Sequence, residues 1–157
     1  MAIEQFEGEN RYLNNFFRQR VGNLVLPEGI EVPTVEHGYQ ADKFTDRSAR
    51  HDILITPTGH LARRMSRELK ESGVPIRPDW YEVRLDVMRG YVWQKFTLNP
   101  DLAELLIATG SQQLVEGNDW GDRFFGVCPP FSQKGENWLG KILMETRDEL
   151  RDLPANK

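Results

Sequence analysis

The sequence predicts an α+β chain in which helices dominate and strands are few and short. Apolar residues recur at helical spacing over residues 78–96 and again after Asn137, which indicates two amphipathic helices. Segments with strand character are only four or five residues long, each next to Gly, Pro or Asn. The chain has 157 residues and shows no repeat or linker, and domains most often contain about 100–150 residues. We therefore expect a single domain over residues 1–157.

The first half of the chain predicts one strand and two helices. Residues 23–26 have strand character. A helix is expected from Thr34 to about Phe44, because Thr34 suits a cap or first-turn position. Residues 58–70 predict a second helix, since the Ser-Gly-Val-Pro sequence that follows contains both of the residues that stop helices.

The second half predicts three helices and two strands. Helices are expected at residues 78–96 and at residues 99–107, where Asn-Pro-Asp provides the start of the shorter one. Strands are expected at residues 113–116 and 124–128. Asn137 can open the last helix, whose apolar stripe predicts core positions. These positions are Leu139, Ile142, Leu143, Thr146 and Leu150.

The charge of the chain narrows the classes of partner. Twenty-four Asp and Glu against 20 Lys and Arg leave a net charge of −4, which argues against a general nucleic-acid coat or a membrane-surface role. Residues 42–70 nevertheless carry seven basic and four acidic side chains, a balance of +3, so the remainder of the chain is −7. This basic window is compatible with a local site for an anionic small molecule.

Cysteine usage and the apolar segments predict the compartment. Cys128 is the single cysteine, so no intrachain disulfide can form and nothing points to an oxidising compartment. Glu4, Glu7 and Glu9 stand where a signal peptide would carry cationic and then apolar residues. The apolar run at residues 105–108 is far shorter than the roughly 20 residues of a membrane-spanning helix. We therefore expect a cytoplasmic protein without membrane association.

Common catalytic and metal-binding signatures are missing from the sequence. It has no G-x-G-x-x-G, no phosphate loop ending in Gly-Lys-Ser/Thr, no H-E-x-x-H and no G-x-S-x-G. His37, His51 and His60 lack the spacing of metal ligands, and one cysteine cannot complete a zinc set, so no metal site is predicted. A buried, inert thiol is favoured for Cys128 over a nucleophile, which would need a nearby base.

The helix predicted from Thr34 carries the most informative polar residues. Helical spacing aligns Glu36, Tyr39, Gln40 and Lys43 on one face. This face is either a solvated surface with ordinary pairing or a catalytic face. In the second case Glu36 transfers protons and Lys43, if desolvated, acts as a nucleophile. The sequence alone favours the solvated surface.

Two glycine-containing loops are further candidates for a binding site. In residues 114–122, Trp120 either stacks on a ligand or folds back into the core. Residues 135–140 form a glycine-flanked helix start. Such a start either offers unpaired amide donors to a phosphate or is capped by Asn137.

Taken in order, these segments resemble the NADAR family, also called YbiA-like, over about residues 10–150. No single segment is decisive, and it is their order and spacing together that are specific. The segments are YLNNF at 12–16, TVEHGYQADKF at 34–44, Trp80 with Arg84 and Met88, KF at 95–96, NP at 99–100, LLIATG at 105–110, LVEGN at 114–118, WGD at 120–122 and GENWLG at 135–140.

The resemblance implies an α+β, largely helical fold and N-glycosidase activity on ribosyl compounds. Family members are associated with removing ADP-ribose from guanine bases, and others with splitting phosphoribosylamino-pyrimidine intermediates of riboflavin synthesis. Both substrates join a ribose anomeric carbon to nitrogen and carry phosphate, in agreement with the basic window at residues 42–70. The implied partner is such a small molecule, with ADP-ribosylated nucleic acid as a further candidate substrate, and no cofactor is implied.

The resemblance also implies which residues act. Glu36, Lys43 and Asp122 become the catalytic candidates. A carboxylate near the anomeric carbon stabilises an oxocarbenium-like state or activates water. A neutral Lys43 offers another route, capture of the sugar as a Schiff base, and attack by Lys43 assisted by Glu36 is favoured. The candidates for substrate binding are Asn15, Tyr39, Gln40, Arg47, Trp80, Asn118, Trp120, Gly121 and Asn137.

Two other functions stay open at this point. A non-catalytic module would hold NAD or ADP-ribose in the same cleft if Lys43 were protonated and paired with Glu36. A structural partner in a larger assembly would have no affinity for ADP-ribose. Gly38 and Asp42 stand where Ala is common in the family, and Gly38 weakens the predicted helix by up to about 1 kcal/mol. Neither departure removes a proposed catalytic group.

Overall fold

A computed structural model of the protein describes residues 1–19, 22–128 and 134–154. About half of the chain is helical and the strands are short, which confirms the predicted helix-dominated α+β class. The chain forms two compact units. Residues 15–99 make up one, and residues 1–14 together with residues 100–157 make up the other.

The elements are two-residue strands, one 3₁₀ helix and α-helices of 7 to 18 residues. In chain order they are β1 (Ala2–Ile3), the 3₁₀ helix (Gly8–Leu13), β2 (Leu24–Val25), β3 (Glu31–Val32), α1 (Val35–Ala41), α2 (Arg47–Leu54), α3 (Gly59–Glu71), α4 (Trp80–Thr97), α5 (Pro100–Ala108), β4 (Gln113–Leu114) and α6 (Trp138–Asp152). The five predicted helices correspond to α1, α3, α4, α5 and α6.

Polar caps determine where three helices of the unit formed by residues 15–99 begin. The hydroxyls of Thr34 and Thr58 each accept a hydrogen bond at 3.2 Å from the amide three residues further on, as an N-cap does. Asp46 Oδ1 accepts one at 2.8 Å in the same way and starts α2. Helix α2 was not predicted from the sequence, although Asp46 carries a signal for its start.

Helix α1 packs against α2, α3 and α4 within this unit, and all of its residues are buried. Gly38 permits the contact with α4, because a Cβ at this position would lie 2.7 Å from the ring of Tyr91. Strands β2 and β3 pair antiparallel, with Leu24 opposite Val32. Because α1 is buried, its polar residues lie inside the unit.

In the unit formed by residues 1–14 and 100–157, β1 pairs in parallel with β4, and α6 packs against β4 and α5. Arg147 of α6 donates hydrogen bonds to the Thr109 hydroxyl at 2.9 Å and to the Gln112 carbonyl at 2.8 Å. The structure confirms the predicted core stripe of α6. All five of its positions are buried, namely Leu139, Ile142, Leu143, Thr146 and Leu150.

The strand predicted at residues 124–128 is wrong, because the segment forms an isolated β-bridge at Val127 and bends on either side of it. The amides of Phe124 and Phe125 both donate to Asp122 Oδ1 at 3.0 Å. The carbonyls of the same two residues accept hydrogen bonds from the first amides of α6. Backbone groups that are satisfied in this way are not available to a strand partner.

Helix α4 is the longest helix in the described ranges, and it carries Glu82, Arg84, Asp86 and Arg89 among its apolar residues. Neither α4 nor any other helix of the described residues is long and apolar enough to cross a membrane.

Candidate active site

Helix α1 places the residues of the predicted polar face inside the protein. Glu36, Tyr39 and Gln40 are 7%, 6% and 4% exposed, and Lys43, which follows the helix, is half-buried. The solvated surface that the sequence alone favoured is therefore wrong. The cap at Thr34 fixes the start of α1, and helical spacing then brings the other residues to one side.

The amine of Lys43 lies in a corner formed by two aromatic rings. Its Nζ is 5.6 Å from the centroid of the Tyr39 ring and 5.9 Å from that of the Trp80 ring. The two rings contact each other with a centroid separation of 4.9 Å and an interplanar angle of 59°. Ring faces attract a cation, whereas loss of water disfavours the charged amine.

Burial lowers the pKa of Lys43 from 10.5 to about 8. The negative charge of Glu36 raises this pKa, and the positive charges of Lys70, Arg63 and Arg84 lower it. With a pKa of about 8, about a tenth of the amine is neutral at pH 7. The site therefore holds a partly unprotonated amine at a pH where an ordinary lysine is almost fully protonated.

Glu36 is held in place by its own helix and by the segment that precedes β2. Gln40 Nε2 donates a hydrogen bond to Glu36 Oε1 at 2.6 Å. The backbone amide of Glu36 donates to the Asn15 carbonyl at 3.1 Å, and the Asn15 side chain donates to Met88 Sδ at 3.5 Å. Gln40 thus fixes the carboxylate that acts on the charge of Lys43, and Asn15 holds the backbone of Glu36.

Asp42, the residue before Lys43, belongs to a separate network. The Tyr91 hydroxyl donates to Asp42 Oδ2 at 2.9 Å, and Arg50 pairs with Oδ1 at 3.2 Å. Burial raises the pKa of Asp42, and the contacts with Tyr91 and Arg50 act in the opposite direction. Two cavities of about 420 and 280 Å³ touch Asp42, and neither is lined by Glu36 or Lys43. This network supports the packing of α1.

In the other unit, Asn118 holds the loop that contains the predicted residues Trp120, Gly121 and Asp122. Its buried side chain donates to the carbonyls of Asp122 at 2.8 Å and Val127 at 3.3 Å, and it accepts from the Asp122 amide at 3.0 Å. Trp120 is 48% exposed, next to Gly121 at φ 93°. The alternative in which Trp120 folds back into the core is therefore wrong.

The first amides of α6 already have partners. The amides of Trp138 and Leu139 donate to the carbonyls of Phe124 and Phe125 at 3.1 and 3.0 Å. Asn137 adopts φ 53° and makes no side-chain cap. Its side chain instead accepts a hydrogen bond from one backbone amide and donates one to a backbone carbonyl within residues 114–116, both at 3.0 Å. Neither interpretation of this helix start holds, because backbone carbonyls satisfy the donors that a phosphate or a side-chain cap would use.

His37 and Cys128 have structural partners. His37 is fully buried, with Nδ1 2.8 Å from the Thr34 hydroxyl and Nε2 2.9 Å from the Thr56 carbonyl. Cys128 is buried, as expected, with its Sγ 2.7 Å from Asn118 Oδ1. In the described part of the chain, no group of three or more His, Cys, Asp and Glu side chains is arranged to hold a metal ion.

The predicted site residues thus fall into two groups, one in each unit. The group in residues 15–99 consists of Asn15, Glu36, Tyr39, Gln40, Lys43 and Trp80, which are linked by the contacts given above. Arg47 lies in the same unit, exposed at the start of α2, and none of those contacts involves it. The second group consists of Asn118, Trp120, Gly121, Asp122 and Asn137.

Three cations that act on Lys43 were not predicted as site residues from the sequence. Arg63 and Lys70 lie on α3, and Arg84 lies on α4 with its guanidinium 5.3 Å from the Tyr81 ring. The spacing of Arg63 and Lys70 by seven residues was visible in the basic window. What the sequence does not show is that α3 packs against α1.

A half-buried lysine with a lowered pKa, a carboxylate on the same helical face and an aromatic corner lie together in a small α+β protein, and sites of this kind are typical of enzymes. The NADAR domain family model matches residues 4–151, and the chain belongs to this family.

Several relatives have names that state an activity. N-glycosidase YbiA of Escherichia coli is 37% identical over 127 residues, which are 78% of this chain and 73% of YbiA. An N-glycosidase of Nostoc punctiforme is 38% identical over 135 residues, 81% of this chain and 83% of its own length. The NMR structure of E. coli YbiA superimposes with a TM-score of 0.77 at 31% identity, over 96% of this chain and 83% of that one.

A longer relative is a riboflavin biosynthesis protein of Vibrio vulnificus. It is 40% identical over 124 residues, which are 76% of this chain. The chain spans 31% of that protein's length.

Proposed function

We propose that the protein is an N-glycosidase that cleaves the bond between the anomeric carbon of a ribose and a nitrogen. The observation that carries this proposal is the amine of Lys43, with a pKa of about 8 and under the influence of Glu36. A neutral, desolvated lysine amine attacks electrophilic carbon and forms Schiff bases with sugars. The names of the E. coli and N. punctiforme relatives support the same reaction.

The favoured route uses Lys43 as the nucleophile. Its neutral Nζ attacks the anomeric carbon, the N-glycosidic bond breaks, and the electron pair leaves with the base nitrogen, which takes up a proton. The Glu36 carboxylate stabilises the positive charge that develops on the sugar and transfers the protons. The Lys43–sugar adduct opens to a Schiff base, and water then hydrolyses it to the free sugar and the amine.

The second route places the same groups around a water molecule. Glu36 removes a proton from water, and the water oxygen bonds to the anomeric carbon. The base leaves with the bonding electron pair, and its nitrogen takes up the proton from Glu36. No bond then forms between Lys43 and the sugar. The two routes differ in whether reduction can trap the sugar on the protein.

We propose an ADP-ribosyl compound or a phosphoribosylamino-pyrimidine as the substrate. The name of the V. vulnificus relative supports the second of these. The rings of Tyr39 and Trp80 next to the amine can pack against a sugar or base. Contacts of substrate with Arg47 and with the second group, Asn118, Trp120, Gly121, Asp122 and Asn137, stay predictions, as does catalysis by Asp122.

A non-catalytic module that binds NAD or ADP-ribose is the second candidate function. It is favoured by one observation, that Glu36 raises the pKa of Lys43 and so favours the protonated amine. A protonated lysine would bind an anionic ligand without attacking it. Substitutions Glu36→Gln and Lys43→Ala separate the two functions, because an enzyme loses turnover with these variants and still binds, whereas a binding module has no turnover to lose.

The test is to incubate the purified protein with ADP-ribosylated guanosine, NAD and a phosphoribosylamino-pyrimidine in parallel. Chromatography follows release of the free base and sugar, and borohydride is added to a second set. We expect one substrate to be cleaved and a reduced sugar to appear on Lys43 by peptide mass spectrometry. Turnover with an unmodified Lys43 eliminates the covalent route, and intact substrates in all three reactions eliminate the enzyme.

The variant Lys43→Arg sharpens this test. Arginine keeps the positive charge and much of the side-chain volume, but it does not lose its proton in proteins. We expect no adduct and a loss of turnover. Lys141→Arg on α6 is the matched control, because the Lys141 amine lies 4.4 Å from the Trp138 ring and resembles Lys43 in its aromatic contact.

A further inference from the structure

Helix α3 directs its cations to two different sides. Its buried residues are Gly59, Ala62 and Ser66. At 100° per residue, Arg63 and Lys70 point in almost the same direction, at one border of that buried face. The residues Arg64 and Glu68 lie on the opposite side of the helix, away from the face that packs on the rest of the unit.

The two sides differ in how their charges are neutralised. Arg64 Nε is 2.9 Å from Glu68 Oε1, an exposed pair at the i,i+4 spacing that stabilises helices. Within the part of the chain that the structure describes, neither Arg63 nor Lys70 has a hydrogen bond or an ion pair. The border of α3 therefore carries two positive charges that no carboxylate of the described residues neutralises.

These two cations lie close enough to the candidate active site to act on it. Both affect the charge of Lys43, which follows the helix α1 that α3 packs against. Arg84 of α4 adds a third positive charge, and Glu36 is the carboxylate that opposes them. Excess positive charge on a surface attracts anions and raises their local concentration.

We propose that Arg63 and Lys70 form an anion subsite that binds the phosphate of the substrate while Lys43 faces the anomeric carbon. This inference rests on the proposed function. In a ribose 5-phosphate group only the ring oxygen, C4, C5 and the ester oxygen separate the anomeric carbon from phosphorus, so both ends contact one small region. The subsite selects phosphorylated ribosyl compounds over plain nucleosides.

The spacing of the two cations allows either one phosphate or a diphosphate. Seven residues of helix separate their Cα atoms by about 10 Å, and both side chains are long enough to converge on a single phosphate or to bind two linked ones. Arg67, exposed one turn beyond Arg63, points further from the buried face and is not required by the proposal.

The test is calorimetric titration of the full chain with ribose 5-phosphate, ADP-ribose and plain ribose. The variants are the double substitution Arg63→Gln with Lys70→Gln and, as matched control, Arg64→Gln on the opposite side of α3. All three positions are exposed, so the variants are expected to fold. We expect the double variant to bind a phosphorylated ligand about tenfold or more weakly, and the control to bind as the parent does.

Each outcome has a defined meaning. If the double variant loses binding of ribose 5-phosphate, the subsite binds a monophosphate. If it loses only the binding of ADP-ribose, the subsite binds a diphosphate. Unchanged binding of both, equal loss in the Arg64→Gln control, or no binding by the parent protein overturns the subsite. Binding is measured without bond cleavage, so intact binding in a protein that never turns over would contradict the N-glycosidase and leave the subsite standing.

Discussion

Glu36 raises the pKa of Lys43, and this pKa determines how the rate of the proposed reaction depends on pH. Attack by Lys43 requires the neutral amine, which forms as the pH rises through its pKa of about 8. We expect kcat/KM to rise with pH and to level off above about pH 8. The measurement is a pH–rate profile, and a rise that continues towards pH 10 would mean that Lys43 titrates as an ordinary exposed lysine.

The substitution Glu36→Gln tests the same pair without requiring turnover. Because Glu36 raises the pKa of Lys43, loss of its charge is expected to move that pKa below 8. The pKa can be read from the ¹³Cε shift of Lys43 in a titration followed by NMR. Arg64→Gln is the control and is expected to leave it unchanged, because Arg64 pairs with Glu68 on the far side of α3. A higher pKa of Lys43 in the Glu36→Gln variant would contradict the interaction between Lys43 and the Glu36 carboxylate.

The alignment of Glu36, Tyr39, Gln40 and Lys43 was predictable from the sequence, because helical spacing alone decides it. Their burial was not predictable from the same spacing. Polar residues on a short helix usually face water, and here they do not because α2, α3 and α4 cover α1. The proximity of Lys43 to Arg63 and Lys70 depends on the same packing, and for this reason it was not predicted from the sequence.

At the scale of loops and helices, Asp122 has a structural role that must be distinguished from its predicted catalytic role. Its Oδ1 accepts the amides of Phe124 and Phe125, both at 3.0 Å. Asp122→Ala removes both bonds, and we expect the free energy of unfolding to fall by about 1–3 kcal/mol. Asp122→Asn keeps an oxygen acceptor, and we expect most of the stability to remain, as measured by urea denaturation.

Activity measured on the same two variants decides the role of Asp122. A stable Asp122→Asn protein that has lost turnover is the result expected of a catalytic carboxylate. Full turnover in this variant would restrict Asp122 to holding the turn that follows it.

Gly38 joins α1 to α4 at a close contact. A Cβ there would lie 2.7 Å from the Tyr91 ring, whose hydroxyl donates to Asp42 at 2.9 Å. Gly38→Ala gains helix propensity worth up to about 1 kcal/mol, but it overpacks a buried contact, which costs about 1–3 kcal/mol, and strains the hydrogen bond to Asp42. We expect a net loss of about 1–2 kcal/mol in the free energy of unfolding, measured by urea denaturation.

Gly90 on α4 is the matched control for Gly38. A Cβ at Gly90 meets nothing within 4 Å, so Gly90→Ala should gain about 0.5–1 kcal/mol from helix propensity alone. Equal stabilisation by both substitutions would contradict the close packing of Tyr91 on α1. The contact also gives a physical reason for Gly38 and Asp42 in this chain, since one admits the Tyr91 ring and the other accepts its hydrogen bond.

Most helices were predictable from their apolar periodicity and their start and stop signals, whereas α2 and the backbone of residues 124–128 were not. The stripe of α6 identified its buried residues correctly. Helix α2 has only Ala49 and Ile53 buried, too few for a recognisable period. The run at residues 124–128 has strand composition, but its backbone is engaged by Asp122 and by the start of α6. Such long-range backbone pairing leaves no local pattern.

At the scale of the whole molecule, the uneven charge distribution was predictable, but its consequence for the site was not. The basic window at residues 42–70 covers α2, most of α3 and Lys43 itself. Part of its charge is neutralised locally, since Arg50 pairs with Asp42 and Arg64 with Glu68. Two of the remaining cations, Arg63 and Lys70, act on Lys43 because α1 packs against α3. This packing makes the basic region a candidate binding site.

Ligand binding should stabilise the whole protein against unfolding. A ligand at one hundred times its Kd adds about 2.7 kcal/mol, which for a chain of this size raises Tm by about 5–10 °C. We expect ribose 5-phosphate or ADP-ribose to produce this rise in thermal denaturation and plain ribose to produce little. We also expect Lys43→Ala to retain most of the rise while losing turnover, because Arg63 and Lys70 still provide the charges that hold phosphate. If the parent protein shows no rise with either phosphorylated ligand at millimolar concentration, the chain does not bind phosphorylated ribose, and both the enzyme and the binding module are excluded for these substrates.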